Sequence, residues 1–305
     1  MSEQTAYSKQ FTSDVRLLLQ NSGGKLYGCV DHQSCEGEAA VLVEQIGEAP
    51  SREAEAPNTP LKIDKIEHER PWIFPVLRET NPVLNEQDTL RQAAEFGSSY
   101  QMAVKKALAR HQDQVIIGSY FAPVRKGRES QKSVSYPTDS KYNVASDGGS
   151  PIAGQAPAAG THTGLTPGKV MEADRKLGDF DNEEEERYVA ITPRQNSELA
   201  SYDFFGNKDW TNKMPVMDSG KVVSFFGYMF KETTLLRALN NAAGDRISIP
   251  MWTKSGIKFG TWKPATVDVD KRIDLTWHPT QFYGRQMIGA ARTEEERVIR
   301  IACAI

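Results

Sequence analysis

The sequence predicts an α+β fold, and three observations carry that reading. Strand-like apolar runs recur at 188–191, 222–228, 247–252, 257–262, 282–290 and 298–305. Helical patterns are few and separate, so they do not alternate with the strands as a parallel α/β sheet requires. Residues 38–80 read as extended chain broken by prolines. The 305 residues suggest about two domains at roughly 150 residues each. That length buries a sizeable core without a disulfide or metal staple.

Charge excludes some functions early. The chain carries 37 basic and 40 acidic side chains, a net charge of −3, so it lacks the basic excess of a protein that coats nucleic acid. The densest apolar run, Phe225–Phe230, is far too short to span a bilayer. Met1-Ser2-Glu3-Gln4 has neither the basic start nor the apolar stretch of a signal peptide. A soluble protein made in a cytoplasm is expected, and an odd count of three cysteines fits a reducing compartment.

Each element follows from local chemistry. Phe11, Val15, Leu18 and Leu19 share one helical stripe, ended by Asn21-Ser22-Gly23-Gly24, so a short N-terminal helix or arm is expected. Ala40–Val43 and Leu61–Asp64 read as strands. The polar stretch between them carries three prolines, so the two form a hairpin with a long tip. Arg70–Pro75 reads as an edge strand, because proline gives no N–H to a ladder. Residues 85–113 form the best helix: Leu90, Ala93, Ala94, Gly97, Tyr100, Val104, Ala107, Leu108 and His111 keep the 3.6-residue period. Residues 122–165 hold few apolar anchors and many loop formers, so a mobile loop or insertion is expected there. Thr166 or Pro167 starts a helix through Leu177, an acidic loop covers Asp179–Glu186, and Tyr188–Ile191 is a buried strand. Thr192 with Pro193 at the first helical position opens a helix through Leu199.

No catalytic constellation emerges. Cys29, His32 and Cys35 offer three metal ligands in seven residues, but a structural zinc site needs four, so an ordinary loop with two thiols is the preferred reading. The five histidines form no H-E-x-x-H arrangement, and His111 falls on the apolar stripe of the long helix, where a core role is expected. Gly164–Val170 lacks the spacing of a phosphate loop, and Asp179–Glu183 lacks the glycine and final glutamate of a calcium loop. There is no G-x-S-x-G elbow. No catalytic residue and no cofactor is expected. Basic residues gather at Lys105, Lys106, Arg110, Arg125, Lys126 and Arg128. Such a cluster serves as a solvated face, as a partner for acids on a neighbouring subunit, or as a phosphate contact.

Three motifs in order carry a family resemblance. Asn81-Pro82 and Asp88 precede the long helix, which closes on Ala107-x-x-Arg110-x-x-Asp113-x-x-Ile116-Ile117-Gly118. This ending resembles the spine helix of tailed-bacteriophage major capsid proteins. Leu165–Leu177 resembles their next helix, and Val189–Gln195 followed by Leu199 resembles their strand-to-helix step. The resemblance covers most of the chain and implies the Hong Kong 97-like capsid fold, with N-arm, extended β-hairpin loop, long spine helix, and peripheral and axial domains.

Under that resemblance the chain divides as follows. Residues 1–37 are the N-terminal arm, 38–84 the extended loop, and 85–121 the spine helix with the start of the peripheral domain. A flexible loop or insertion occupies 122–165, and a peripheral helix with the acidic loop 166–187. The axial domain lies mainly in 188–270, and 271–305 are closing strands of the peripheral domain. Some members of that family cross-link subunits through a Lys and an Asn; no position here is matched to that pair, so Lys62 and Lys65 are candidates only and no cross-link is predicted.

An arm and a hairpin exposing Val41, Leu42, Ile63, Arg70, Trp72 and Phe74 would need neighbouring subunits to cover them. The expected function is a self-assembling head protein that encloses double-stranded DNA without reading its sequence. Its partners would be itself, as hexamers and pentamers, with scaffold, portal and decoration proteins as further candidates. Its place would be the virion, assembled in the bacterial host cytoplasm. The alternatives are a soluble hydrolase or metal-dependent enzyme with a site built from distant residues, or another virion structural protein.

Overall fold

The computed structural model describes residues 23–41, 45–47, 49, 51, 63–66, 68–85, 97–127, 129–145, 163–180, 185–202, 217–239, 241–242 and 246–304. The expected N-terminal helix, the proline-rich hairpin tip, Leu42 and the first part of the long helix lie outside them. The described chain forms two compact units assembled from discontinuous segments. The smaller takes Gly23–Gly24, Val76–Gln112 and Lys263–Met287; the larger takes Lys25–Pro75, Asp113–Trp262 and Ile288–Ala304. Two long strands, Ile257–Lys271 and Thr280–Arg292, each contribute residues to both units.

The larger unit is built on a mixed sheet. Its order is Asn143–Val144, Val298–Ala304, Arg246–Thr253, Arg187–Ile191, Tyr228–Glu232 and Ser224–Phe225, with Asn241–Ala242 paired off the path. Arg246–Thr253 runs antiparallel to Val298–Ala304, from Arg246 opposite Ala304 to Trp252 opposite Val298. Every residue of that central strand after Arg246 is buried, as expected for an apolar run covered on both faces. Trp252 is fully buried, stacks 5.9 Å from Tyr188, and donates its indole N–H to the Cys29 carbonyl at 3.0 Å. The Pro167–Gly178 helix starts where the sequence places it: Thr166 caps it by accepting the Lys169 N–H, and Pro167 occupies the first turn. The Pro193–Ala200 helix follows Thr192, whose N–H donates to the Gln195 side chain at 2.9 Å.

Two expectations need correction. Among the described residues of 122–145, three short strands stand where a loop or insertion was expected, and 146–162 lie outside the described residues. Val124–Lys126 and Lys132–Val134 form an antiparallel pair, and Asn143–Val144 runs parallel to Val298–Ala304. Tyr136 anchors the segment: it is buried, its hydroxyl bonds to the Tyr142 and Val298 carbonyls at 2.9 and 3.0 Å, and Arg292 stacks on its ring. A few buried anchors suffice here because neighbouring strands supply the rest of the packing. The second correction concerns Pro71–Ile73, which is an interior strand flanked by Ala40–Val41 and Val124–Lys126. Pro71 is tolerated because it is the first residue of its strand.

In the smaller unit, the part of the long helix up to Gln112 packs on sheet. The helix spans Gly97–Ser119, so the buried stretch expected after residue 113 is still helical. Tyr100, Val104 and Leu108 pack on Leu84, Val267 and Phe282, with Tyr100 and Phe282 stacked at 5.5 Å. Gly284 permits the close approach, since a Cβ there would stand 2.3 Å from Val104 Cγ1. Gln286, fully buried, donates to the Leu108 carbonyl at 3.0 Å.

The acidic loop ends in a tether. Glu185 accepts from the Ser255 hydroxyl and from Arg297 Nη1, the latter at 2.6 Å. Burial alone would raise the Glu185 carboxyl, but the bonds from Ser255 and Arg297 outweigh it and hold it below the usual carboxylate range. A carboxyl lowered on folding adds stability above its unfolded value, about 4.3, and loses it as pH falls through the folded value. The thermal midpoint should therefore drop in acid below about pH 4. Glu185→Gln should lie below wild type at pH 7 and converge with it in acid; parallel curves at all pH values would refute the tether.

Candidate subunit interface

The hairpin reads upward from its base. Ala40 pairs with Ile73 and Val41 with Trp72; further out Gln45 pairs with Glu69 and Ile46 with His68. The strand expected at Leu61–Asp64 is corrected: Ile63 and Asp64 lie in no strand, Leu61 and Lys62 lie outside the described residues, and the cross-strand partners come from His68–Ile73. Ile73 is buried against Ala291 and Trp262 and anchors the base. Trp72 donates its indole N–H to the Gly127 carbonyl at 2.6 Å, and Gly127 N–H returns a bond to Arg70 O at 3.1 Å.

An ion chain centred on the buried Lys126 holds the same base. Lys126 Nζ lies 2.7 Å from Glu69 on the hairpin and 3.1 Å from Glu295. Burial would lower the Lys126 ammonium, but the bonds to Glu69 and Glu295 outweigh it and raise it above the usual lysine range. Glu295 also lies 3.6 Å from the buried Arg292, which donates to the Tyr120 carbonyl at 2.7 Å and the Ala122 carbonyl at 3.2 Å. Gln45 adds bonds to the Thr293 carbonyl and Glu294, at 3.1 and 3.0 Å.

The expected interface residues separate into groups. Ile63 is 88% exposed, and Phe74 is exposed with Arg125 stacked on its ring at 4.9 Å. Arg70 and Trp72 are half-buried, and the backbone of one and indole of the other are tied to Gly127 of the same chain. Val41 lies in the ladder, with its side chain outside the described residues, as is all of Leu42.

The metal candidates are not brought together as a site. Cys29 and Cys35 are buried, and burial raises both thiols, against the thiolate a metal needs. His32 bonds to Tyr27 O at 2.8 Å and packs beside the Tyr27 ring. Among the described residues no group of three His, Cys, Asp or Glu side chains is placed to hold a metal ion. Cys303 is buried and its thiol is pushed up to about 12 by desolvation.

Sequence reasoning missed several exposed apolar side chains. Ile46 is 66% exposed on the hairpin, and Phe226 and Met229 are exposed on the Ser224–Glu232 turn. In the smaller unit Leu77, Ile273 and Trp277 are exposed. Trp277 and His278 both take positive φ, +71° and +41°, which bulky residues rarely adopt. The one available signal was an isolated tryptophan in the polar turn Asp274–Pro279.

A family model described as phage capsid protein matches residues 4–305. No curated protein matches the chain. Among solved structures, the capsid of cyanophage P-SCSP1u is similar with a TM-score of 0.72 at 18% identity, over 98% of this chain and 93% of that one. The capsid protein of cyanophage Pam1 gives 0.71 at 11% identity, over 99% and 97%. The head of Helicobacter pylori bacteriophage KHP40 gives 0.68 at 8% identity, over 99% and 97%. At these identities the structures show a shared fold. The chain belongs to the phage capsid protein family. It is a shell-forming major capsid protein, a structural component of the virion.

Proposed function

We propose that copies of this chain associate as hexamers and pentamers and close into an icosahedral head around double-stranded DNA. The observation that carries this reading is a surface held in place but left uncovered. The hairpin base is fixed by Trp72, Ile73 and the Lys126 ion chain, while Ile46, Ile63 and Phe74 remain exposed. Ordering apolar side chains in water is unfavourable unless something covers them. In a shell, neighbouring copies supply that cover, and weak contacts repeat around each rotation axis.

In this reading residues 1–37 act as an arm, 38–84 overlap an adjacent subunit, and 188–270 gather mainly around the capsomer axis. A near-neutral chain encloses DNA without reading its sequence. Assembly takes place in the bacterial cytoplasm, with scaffold, portal and decoration proteins as candidate partners. No residue is assigned a catalytic part.

The test is negative-stain microscopy and sedimentation of the full chain, expressed alone and with neighbouring phage genes. Closed shells or capsomers are expected. A monomer under both conditions at physiological salt would overturn self-assembly. Ile63→Asp should shift sedimentation toward free subunits by about tenfold, because it places a charge where a neighbour would bury an isoleucine.

A further inference from the structure

One edge of the larger sheet is closed mostly by side chains and returning chain. Val298–Ala304 pairs along its full length with Arg246–Thr253 on one side, but on the other only Asn143–Val144 lies beside it, at Arg300 and Ile301. The backbone groups on that second side are taken one by one. The Val298 carbonyl accepts the Tyr136 hydroxyl at 3.0 Å, and the Arg300 N–H donates to the Tyr142 carbonyl at 3.0 Å. The Ala302 carbonyl accepts from Lys169 Nζ at 3.1 Å, and the Ala304 N–H donates to the Thr163 carbonyl at 2.9 Å.

Lys169 is the unusual member of this set. It stands in the first turn of the Pro167–Gly178 helix, where its N–H meets the Thr166 cap. A helix N-terminus disfavours a cation and burial disfavours an ammonium, yet Lys169 is fully buried. In return its Nζ reaches three carbonyls, Thr163 at 2.8 Å, Gly164 at 3.0 Å and Ala302 at 3.1 Å. A long helical side chain leans back toward the helix start, which brings the ammonium to the residues just before the helix. The Thr163 carbonyl accepts from both Lys169 and Ala304, so the ammonium ties the returning chain to the strand edge. Glu198 also holds that chain, accepting the Leu165 N–H at 3.1 Å. Packing alone would be served as well by an apolar residue of similar volume.

We propose that Lys169 is an autoinhibitory seal: with Thr163 it occupies the sheet edge at Ala302–Ala304 that a strand of a second copy would otherwise join, and so keeps copies from polymerising edge to edge. An open edge presents unpaired N–H and C=O groups and is a template for another chain. This strand suits such pairing, because Ile301-Ala302-Cys303-Ala304 carries no charge, with Ile301 and Cys303 buried and Ala302 and Ala304 half-buried. The opposite edge of the same sheet is the two-residue strand Ser224–Phe225, which runs straight into the Phe226–Gly227 turn and offers little to pair with. The seal therefore stands at the edge that needs one. It is independent of the shell reading, since it concerns an association that the chain prevents.

The test uses the full-length chain carrying Lys169→Met, which keeps the bulk and removes the ammonium. Near-UV circular dichroism should show the fold retained. Maleimide labelling read by peptide mapping should modify Cys303 about tenfold faster than in wild type and leave Cys29 unchanged, since both thiols are buried and only Cys303 lies on the sealed strand. Thioflavin-positive polymer should accumulate about tenfold faster at equal protein concentration. In Lys169→Ala, propylammonium chloride supplies the atoms lost from Cγ to Nζ and should slow both readouts, where sodium chloride at equal concentration does not. Glu198→Ala releases the Leu165 N–H but leaves the ammonium in place, and should raise both readouts by a smaller factor. A folded Lys169→Met that labels and polymerises as wild type does overturns the seal, and so does fast Cys303 labelling without polymer. Failure of propylammonium to slow either readout overturns the part given to the ammonium. If the Lys169 variants do not fold, wild-type rates from Glu198→Ala overturn the proposal.

Discussion

Asp113→Ala is expected to lower the stability of the unassembled chain by about 3–6 kcal/mol, the sum of two hydrogen bonds to a charged group at roughly 1.5–3 kcal/mol each. Asp113 is fully buried in the helix. Its Oδ1 accepts the Leu26 N–H at 3.1 Å and its Oδ2 the Lys25 N–H at 3.2 Å. Leu26 is itself fully buried, and Cys29, just beyond, accepts the Trp252 indole. Alanine leaves two amides without that acceptor at the point where the chain enters the core of the larger unit. Asparagine keeps the shape but turns an NH₂ toward one of them, so Asp113→Asn should recover only part of the loss. At about 2–4 °C per kcal/mol for a unit of this size, the alanine variant should melt about 10 °C lower. Hydrogen exchange should show Lys25 and Leu26 deprotected first. A midpoint within 1 °C of wild type would mean the two bonds contribute nothing net. This contact also supplies a physical reason for the aspartate in the Ala-x-x-Arg-x-x-Asp ending of the helix: it holds the incoming chain.

Gly289→Ala is the second large expected effect, and it bears on the interface. A methyl at Gly289 would stand 2.4 Å from the Phe74 carbonyl oxygen and 2.7 Å from Ile73 Cγ2. The first obstacle is backbone, which cannot rotate away. The cost should fall near the top of the roughly 1–3 kcal/mol range for overpacking. The displaced segment includes Ile73, which anchors the hairpin base, and Phe74, part of the uncovered surface. Assembly should therefore fail at temperatures where the variant is still folded. Gly118→Ala is the matched control. It lies in the helix with nothing within 4 Å of its would-be Cβ, so the same substitution should stabilise by about 0.5–1 kcal/mol. The opposite signs are measurable by thermal denaturation of both variants, and a destabilised Gly118→Ala alongside an unaffected Gly289→Ala would refute the close-approach argument.

The hairpin base separates contacts made within the chain from surface left exposed. Lys126, Glu69, Glu295 and Arg292 form a mostly buried ion chain under the hairpin. Such chains add little net stability against an apolar alternative, but they penalise any arrangement that leaves one member alone. Here that property orients the hairpin base, while Ile46 and Ile63 stand exposed beyond it.

The sequence by itself determined the features whose cause lies within a few residues. Thr166-Pro167 and Thr192-Pro193 start helices because a cap and a fixed φ act locally. Arg187–Ile191, Arg246–Thr253 and Val298–Ala304 were legible as strands from apolar content alone, and the resemblance of three ordered motifs led to the family. Only the tertiary structure decided which strands are neighbours. Pro71–Ile73 lies inside its sheet, Arg187–Ile191 runs parallel to Tyr228–Glu232, and residues 122–145 join two sheets. It also decided that Trp72 is half-buried while Ile46 and Trp277 stand in solvent. The physical reason is range: caps and periodicity are short-range and written in contiguous residues. Strand order and exposure depend on partners far along the chain, and many strands present nearly the same apolar pattern to them.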